Sequence, residues 1–170
     1  MDTEKILQEM LDKEAIMQNQ YQYAWCVDTK NWEEFANVFS DDLVVDMRYR
    51  FPDKPVAHYE PKEWAENVKK IVSGLQATQH FMSNFKIDVD GDTATCRCYV
   101  RAMHFLPNMD GDPWMQCFSL YNNKYKRTEK GWKISFLKIT HWWWEGNQDL
   151  YNRAQKNIAE GIYPKPTPID

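Results

Sequence analysis

The chain has 170 residues, of which 43% are hydrophobic and 27% charged, with a net charge of −4. This length suits one domain with a substantial core, and the interspersed acidic and basic residues offer no basic face to a phosphate backbone, so a nucleic-acid partner is not expected. Aromatic residues reach 15%, which is enough rings to wall a cavity.

Residues from Asp2 to about Thr29 read as one long helix, with Ile6, Leu7, Met10, Leu11, Ala15, Ile16, Tyr23 and Val27 on its apolar side. Asn31-Trp-Glu-Glu34 has the form of a capping box and predicts a short second helix through Phe39, ended by Ser40-Asp-Asp42. Leu43 to Tyr49 alternates as a strand, Phe51 to Pro55 is a loop, and Glu60-Pro-Lys-Glu-Trp64 opens a third helix to about Leu75. Four strands are then predicted, near His80–Val89, Thr93–Leu106, Trp114–Arg127 and Trp132–Trp142. Asp90-Gly91-Asp92 and Glu129-Lys130-Gly131 are hairpin signals, and Pro107 to Pro113 is a longer connection. The tail from Glu145 has room for one more helix, Asp149 to Ala159, before the prolines Pro164, Pro166 and Pro168 end regular structure, and it is a candidate lid or interface segment. Helices followed by an antiparallel meander predict an α+β fold, a single domain over residues 1–170 in which a strongly curved sheet closes as a cone against its helices.

No apolar run approaches the roughly 20 residues of a membrane span, and the N-terminus lacks a basic segment followed by an apolar one, so a cytoplasmic protein with no membrane partner is expected. The four cysteines Cys26, Cys96, Cys98 and Cys117 fall inside regular elements and read as buried thiols. There is no ligand-spaced His/Cys cluster and no phosphate-binding glycine loop, so neither a metal nor a cofactor is expected.

Two segments carry the chemistry. Tyr23-Ala-Trp25-Cys-Val-Asp28 lies near the end of the first helix, and His80-Phe-Met-Ser-Asn84 opens a strand. Between them they supply a carboxylate, an imidazole and a phenol, the components of an acid–base site. Tyr23 and Asp28 are five residues apart, about 140° around an ideal helix, so both face one pocket only if the helix end distorts or the pocket wraps the helix tip. In the strand from Thr93 the even set Ala94, Cys96, Cys98, Val100, Ala102 and His104 is small and apolar, which turns that face inward and ends it on a histidine. Tyr121, Asn123 and Tyr125 share one strand face, either a pocket wall or a hydrated surface. His141-Trp142-Trp143-Trp144 is expected to alternate between pocket rim and subunit interface. Arg48, Arg50 and Arg101 read as solvated charges.

These features together, Tyr23-x4-Asp28, Asn31-Trp32, His80-x3-Asn84 ahead of Asp90-Gly91-Asp92, and Tyr121-x-Asn123-x-Tyr125 followed by Gly131-Trp132, resemble the nuclear transport factor 2-like (NTF2-like) superfamily in its SnoaL-like and scytalone dehydratase branch. Within that branch the chain looks most like bile acid 7-dehydratase and, more distantly, hexachlorocyclohexane dehydrochlorinase. The resemblance implies a cofactor-free lyase in which His80 is the base, Asp28 its partner and Tyr23 a pocket hydroxyl. It favours the pocket wall for Tyr121, Asn123 and Tyr125; Asn84, Trp25, His141 and Trp142 are further expected substrate contacts, and His104 is either one of these or a satisfied core histidine. The chain departs from the bile acid enzyme at Ala102, where that enzyme carries an aspartate, with His104 two residues on.

The function expected is therefore elimination from a hydrophobic, aromatic or polycyclic, oxygenated small molecule by a homodimer or homotrimer. The alternatives are cleavage of a C–C bond with release of a small aldehyde, double-bond isomerisation, a non-catalytic ligand binder, and a partner subunit of the kind found in ring-hydroxylating dioxygenases.

Overall fold

A computed structural model of the protein describes residues 3–49, 51–107 and 110–165. Arg50 and the tail prolines Pro166 and Pro168 lie outside the described residues.

Helix α1 (Thr3–Thr29) buries Ile16, Gln20, Tyr23, Ala24, Cys26 and Val27, while Leu7, Met10 and Leu11 of its first turns are exposed. Lys30 then takes a left-handed φ of 57°, which turns the chain, and the Asn31 side chain accepts from the Glu34 amide to cap α2 (Trp32–Ala36). The second helix is shorter than its sequence predicts. Phe39 already begins strand β1 (Phe39–Asp46), because it and Leu43 and Val45 enter the core in extended form. A three-residue strand, β2 (Ala57–Tyr59), pairs with β1 ahead of α3 (Pro61–Val72); it is too short to leave a pattern in the sequence.

The four long strands β3 (Ala77–Asp90), β4 (Thr93–Phe105), β5 (Trp114–Thr128) and β6 (Gly131–Gly146) form an antiparallel meander, and β1 joins β6 in parallel. The sheet order is β2-β1-β6-β5-β4-β3. Register shifts at Ser83/Lys86, Phe118/Ser119 and Lys124/Tyr125 bend the sheet, which curves around α1 and α3. Burial in β4 follows the expected parity, with Ala94, Cys96, Cys98, Val100, Ala102 and His104 all inside.

Helix α4 (Leu150–Ala159) folds back against the end of α3. Gly74 permits this approach, since a Cβ there would lie 1.9 Å from the Ala154 carbonyl oxygen, and the Asn157 side-chain amide donates to the Gly74 carbonyl at 3.0 Å. Lys30 ties the same corner by donating to the carbonyls of Ser73, Leu75 and Pro164. The four cysteines are buried free thiols, and no helix among the described residues is long and apolar enough to cross a membrane.

Candidate active site

The cavity between the inner face of the sheet, α1, α3 and α4 has a volume of about 330 Å³. His80 stands on its wall from the start of β3, and Asp28 comes up behind it from the last turn of α1. Asp28 Oδ1 lies 2.7 Å from His80 Nδ1 and accepts from Thr78 Oγ1 at 2.8 Å, while Oδ2 accepts from the His80 backbone amide at 2.8 Å. A carboxylate can only accept, so Nδ1 carries the imidazole proton and Nε2 presents its lone pair on the opposite edge of the ring. Burial opposes ionisation of Asp28. The hydrogen bonds and charge of His80, with the help of Thr78, outweigh it and hold the carboxyl below its usual range. The 140° offset between Tyr23 and Asp28 is resolved without distortion of α1: Tyr23 enters the cavity, and Asp28 stays behind the imidazole.

Tyr23 and Tyr121 lie side by side on the cavity wall, and burial pushes the Tyr23 hydroxyl up to about 12 and that of Tyr121 well above the usual phenol range. Their rings meet edge to face at 5.6 Å. His104 faces His80 with ring centroids 6.1 Å apart. Burial, followed by the neighbouring His80, pulls its pKa down to about 3, so it is neutral at physiological pH. Ser119 Oγ and His141 Nδ1 are 2.5 Å apart at the far wall, with Tyr49 against the His141 ring.

Of the residues expected at the site, Tyr23, His80, His104, Tyr121 and His141 line the cavity. The others lie elsewhere. Trp25 is on the outer side of α1 and 68% exposed, and Asn84 is exposed at the β3 bulge with a φ of 56°. Asn123 and Tyr125 share the inner face with Tyr121 but sit further down the strand beneath α1, where both donate to Gln20 Oε1, at 2.9 and 2.8 Å. They hold the helix to the sheet and do not meet the cavity.

Trp142 is on the outer face. The register shift opposite Phe118 and Ser119 adds one residue to β6, so alternation fails: His141 and Trp144 both turn inward, and Trp142 and Trp143 both turn outward to stack beside Phe118 and Tyr99. Ser119, Tyr49, Tyr59, Trp64 and Tyr151 also line the cavity without having been singled out from sequence. Strand parity carried a signal for Ser119, two residues before Tyr121; Tyr151 arrives only through the docking of α4.

The model of the SnoaL-like domain matches residues 8–138, and the chain belongs to this family, part of the NTF2-like superfamily. Uncharacterised proteins of Mycobacterium tuberculosis and Mycobacterium bovis are 27% identical over 134 residues, which is 74% of this chain and 82% of theirs. Among solved structures, a protein from Kribbella flavida superposes with a TM-score of 0.77 at 24% identity, over 86% of this chain and 99% of that one. A scytalone dehydratase candidate from Novosphingobium aromaticivorans gives 0.71 at 22% identity, over 86% and 93%. A hexachlorocyclohexane dehydrochlorinase gives 0.69 at 17% identity, over 83% and 92%. These likenesses establish the fold.

Proposed function

We propose that the protein is a cofactor-independent lyase that eliminates water, or a comparable leaving group, from an oxygenated aromatic small molecule. The observation that carries this reading is the 2.7 Å contact between Asp28 and His80 at the wall of an open cavity. His80 Nε2 takes a proton from the carbon next to the leaving group, and the Asp28 carboxylate compensates the imidazolium that forms. The rings of Tyr23, Tyr49, Phe51, Tyr59 and Trp64 suit an aromatic guest. A volume of 330 Å³ is at the low end for small-molecule sites and favours a molecule of one to three rings. Hydroxyls and imidazoles on the far wall suit its oxygen substituents. A cavity that only stores a ligand has no need of a carboxylate-oriented imidazole, and a partner subunit has no need of an open cavity. The exposed aromatic strip of Phe81, Tyr99, Trp142 and Trp143 supports assembly as a homodimer or homotrimer through the outer face of the sheet.

The test is a reaction that reports a buried base without knowledge of the natural substrate. 5-Nitrobenzisoxazole loses its C3 proton as the N–O bond breaks, giving a coloured cyanophenolate, and needs only a base in an aromatic pocket. Wild-type protein is expected to accelerate this elimination, and His80→Ala to lose about 10²–10⁴-fold. Equal rates for the two proteins would refute the assignment of His80 as base.

A further inference from the structure

An elimination needs a proton for the departing oxygen as well as a base for the carbon, and Tyr23, His104 and Ser119 on the cavity wall are poor sources. Burial, followed by the negative charge of Asp28, disfavours loss of the Tyr23 proton. His104 is neutral at physiological pH, and a neutral imidazole does not act as an acid there. Ser119 is held by His141.

Helix α4 brings in another group. Tyr151, in its first turn, lines the cavity, and its hydroxyl is 3.0 Å from His104 Nε2. The other nitrogen of that ring, Nδ1, is buried and makes no hydrogen bond of ordinary geometry, the Met115 backbone interacting with the ring only weakly. A buried donor without an acceptor costs more than a bare lone pair, so the proton of neutral His104 belongs on Nε2, from where it donates to the Tyr151 oxygen. An N–H aimed at a phenol oxygen stabilises the phenolate and makes its proton easier to give. His80 and Tyr151 line the same cavity, so a bound molecule can meet the base and the acid together.

We propose that Tyr151, with its oxygen held by His104, is the catalytic acid that protonates the leaving oxygen in the reaction whose base is His80. The proposal rests on the reading of His80 given above. In the step, the C–H bond gives its proton to His80 Nε2, and its electron pair becomes the new C=C bond. The C–O bond breaks, and the leaving oxygen takes the Tyr151 hydroxyl proton and departs as water. The imidazolium on His80 and the phenolate on Tyr151 are then reset by transfer of one proton across the cavity through that water. Nothing is oxidised or reduced.

The experiment compares 5-nitrobenzisoxazole with unsubstituted benzisoxazole in wild type, Tyr151→Phe and His80→Ala. The nitro group stabilises the leaving phenolate, so acid assistance matters more for the unsubstituted probe. His80→Ala should lose turnover of both. Tyr151→Phe, which keeps the ring and its packing, should lose at least about tenfold more on the unsubstituted probe than on the nitro probe. Equal losses on the two probes, or none, overturn the role of Tyr151 and leave that of His80 intact; absence of His80-dependent turnover on both overturns both. Nitrogen-15 NMR of His104 gives a reading that needs no substrate: a proton on Nε2 is expected, and a proton on Nδ1 overturns the proposal.

Discussion

Gly74→Ala probes the junction that holds α4, and with it Tyr151, over the cavity. A Cβ at this position would lie 1.9 Å from the Ala154 carbonyl oxygen and 2.6 Å from its carbon, where ordinary contact begins near 3.4 Å. Both atoms are backbone, so relief requires the helix itself to move by about 1.5 Å. That movement breaks the buried bond from Asn157 to the Gly74 carbonyl, worth about 1 kcal/mol. It also loosens Leu150 and Ala154, both fully buried against Leu75, Leu106 and Met115, for a further 1–3 kcal/mol or so. The expected loss is about 2–4 kcal/mol, concentrated in α4. Elsewhere Gly→Ala at a backbone conformation open to L-residues gains about 0.4–1 kcal/mol, so the sign of the effect is diagnostic. Hydrogen exchange followed by mass spectrometry should show protection of residues 150–159 falling by roughly 30- to 800-fold, with the amides of β4 and β5 unchanged. An α4 as well protected in the variant as in wild type would refute the argument that close backbone approach docks this helix.

Asp28→Asn should fold and should lose less turnover of 5-nitrobenzisoxazole than His80→Ala, because it removes orientation and charge compensation but leaves the base; a larger loss than His80→Ala would contradict this division of roles. Tyr23→Phe, measured the same way, should lose less than either. Acid should destabilise the protein through two groups. Asp12, which accepts from Arg127 in two bonds of 2.8 and 2.7 Å and from Trp132, is lowered to about 2, chiefly by Arg127, so its contribution is present above the unfolded pKa near 4 and is lost as pH falls toward 2. With the solvent access of Arg127 allowed for, that amounts to about 1–2 kcal/mol. His104 must stay neutral in the fold down to about pH 3 while the unfolded chain binds its proton near 6.5, so stability falls in the intervening range by up to about 1.4 kcal/mol per pH unit. Urea unfolding of wild type and His104→Gln at pH 7 and 4.5 should show a smaller acid loss in the variant, and an equal loss would refute the assignment. Sedimentation should find a dimer or trimer that Trp143→Glu weakens; a wild-type monomer would remove the outer aromatic strip as an interface.

Local rules determined the elements of this chain and one face of most of them. The helical period of residues 3–29, the cap at Asn31, the turn at Asp90-Gly91-Asp92 and the alternation from Ala94 to His104 are short-range patterns written in neighbouring residues, and each reappears in the fold. Family resemblance, not periodicity, suggested that Asp28 and His80 meet, since residues 52 apart carry no mutual signal in one sequence. What tertiary structure alone decided is where along a face each residue ends up, and which face it takes past a bulge. Asn123 and Tyr125 obey the same alternation as Tyr121 yet lie under α1, because the cavity ends where Gln20 descends to the sheet. One added residue in β6 turned Trp142 outward and His141 inward, and a bulge follows from the packing of two strands, which neither encodes by itself. Tyr151 reaches His104 from 47 residues away only because Gly74 and Ala154 allow two backbones to touch. Sequence sets the local conformation and the pool of reactive groups; long-range packing, which depends on pairs of surfaces, selects the few that share a cavity.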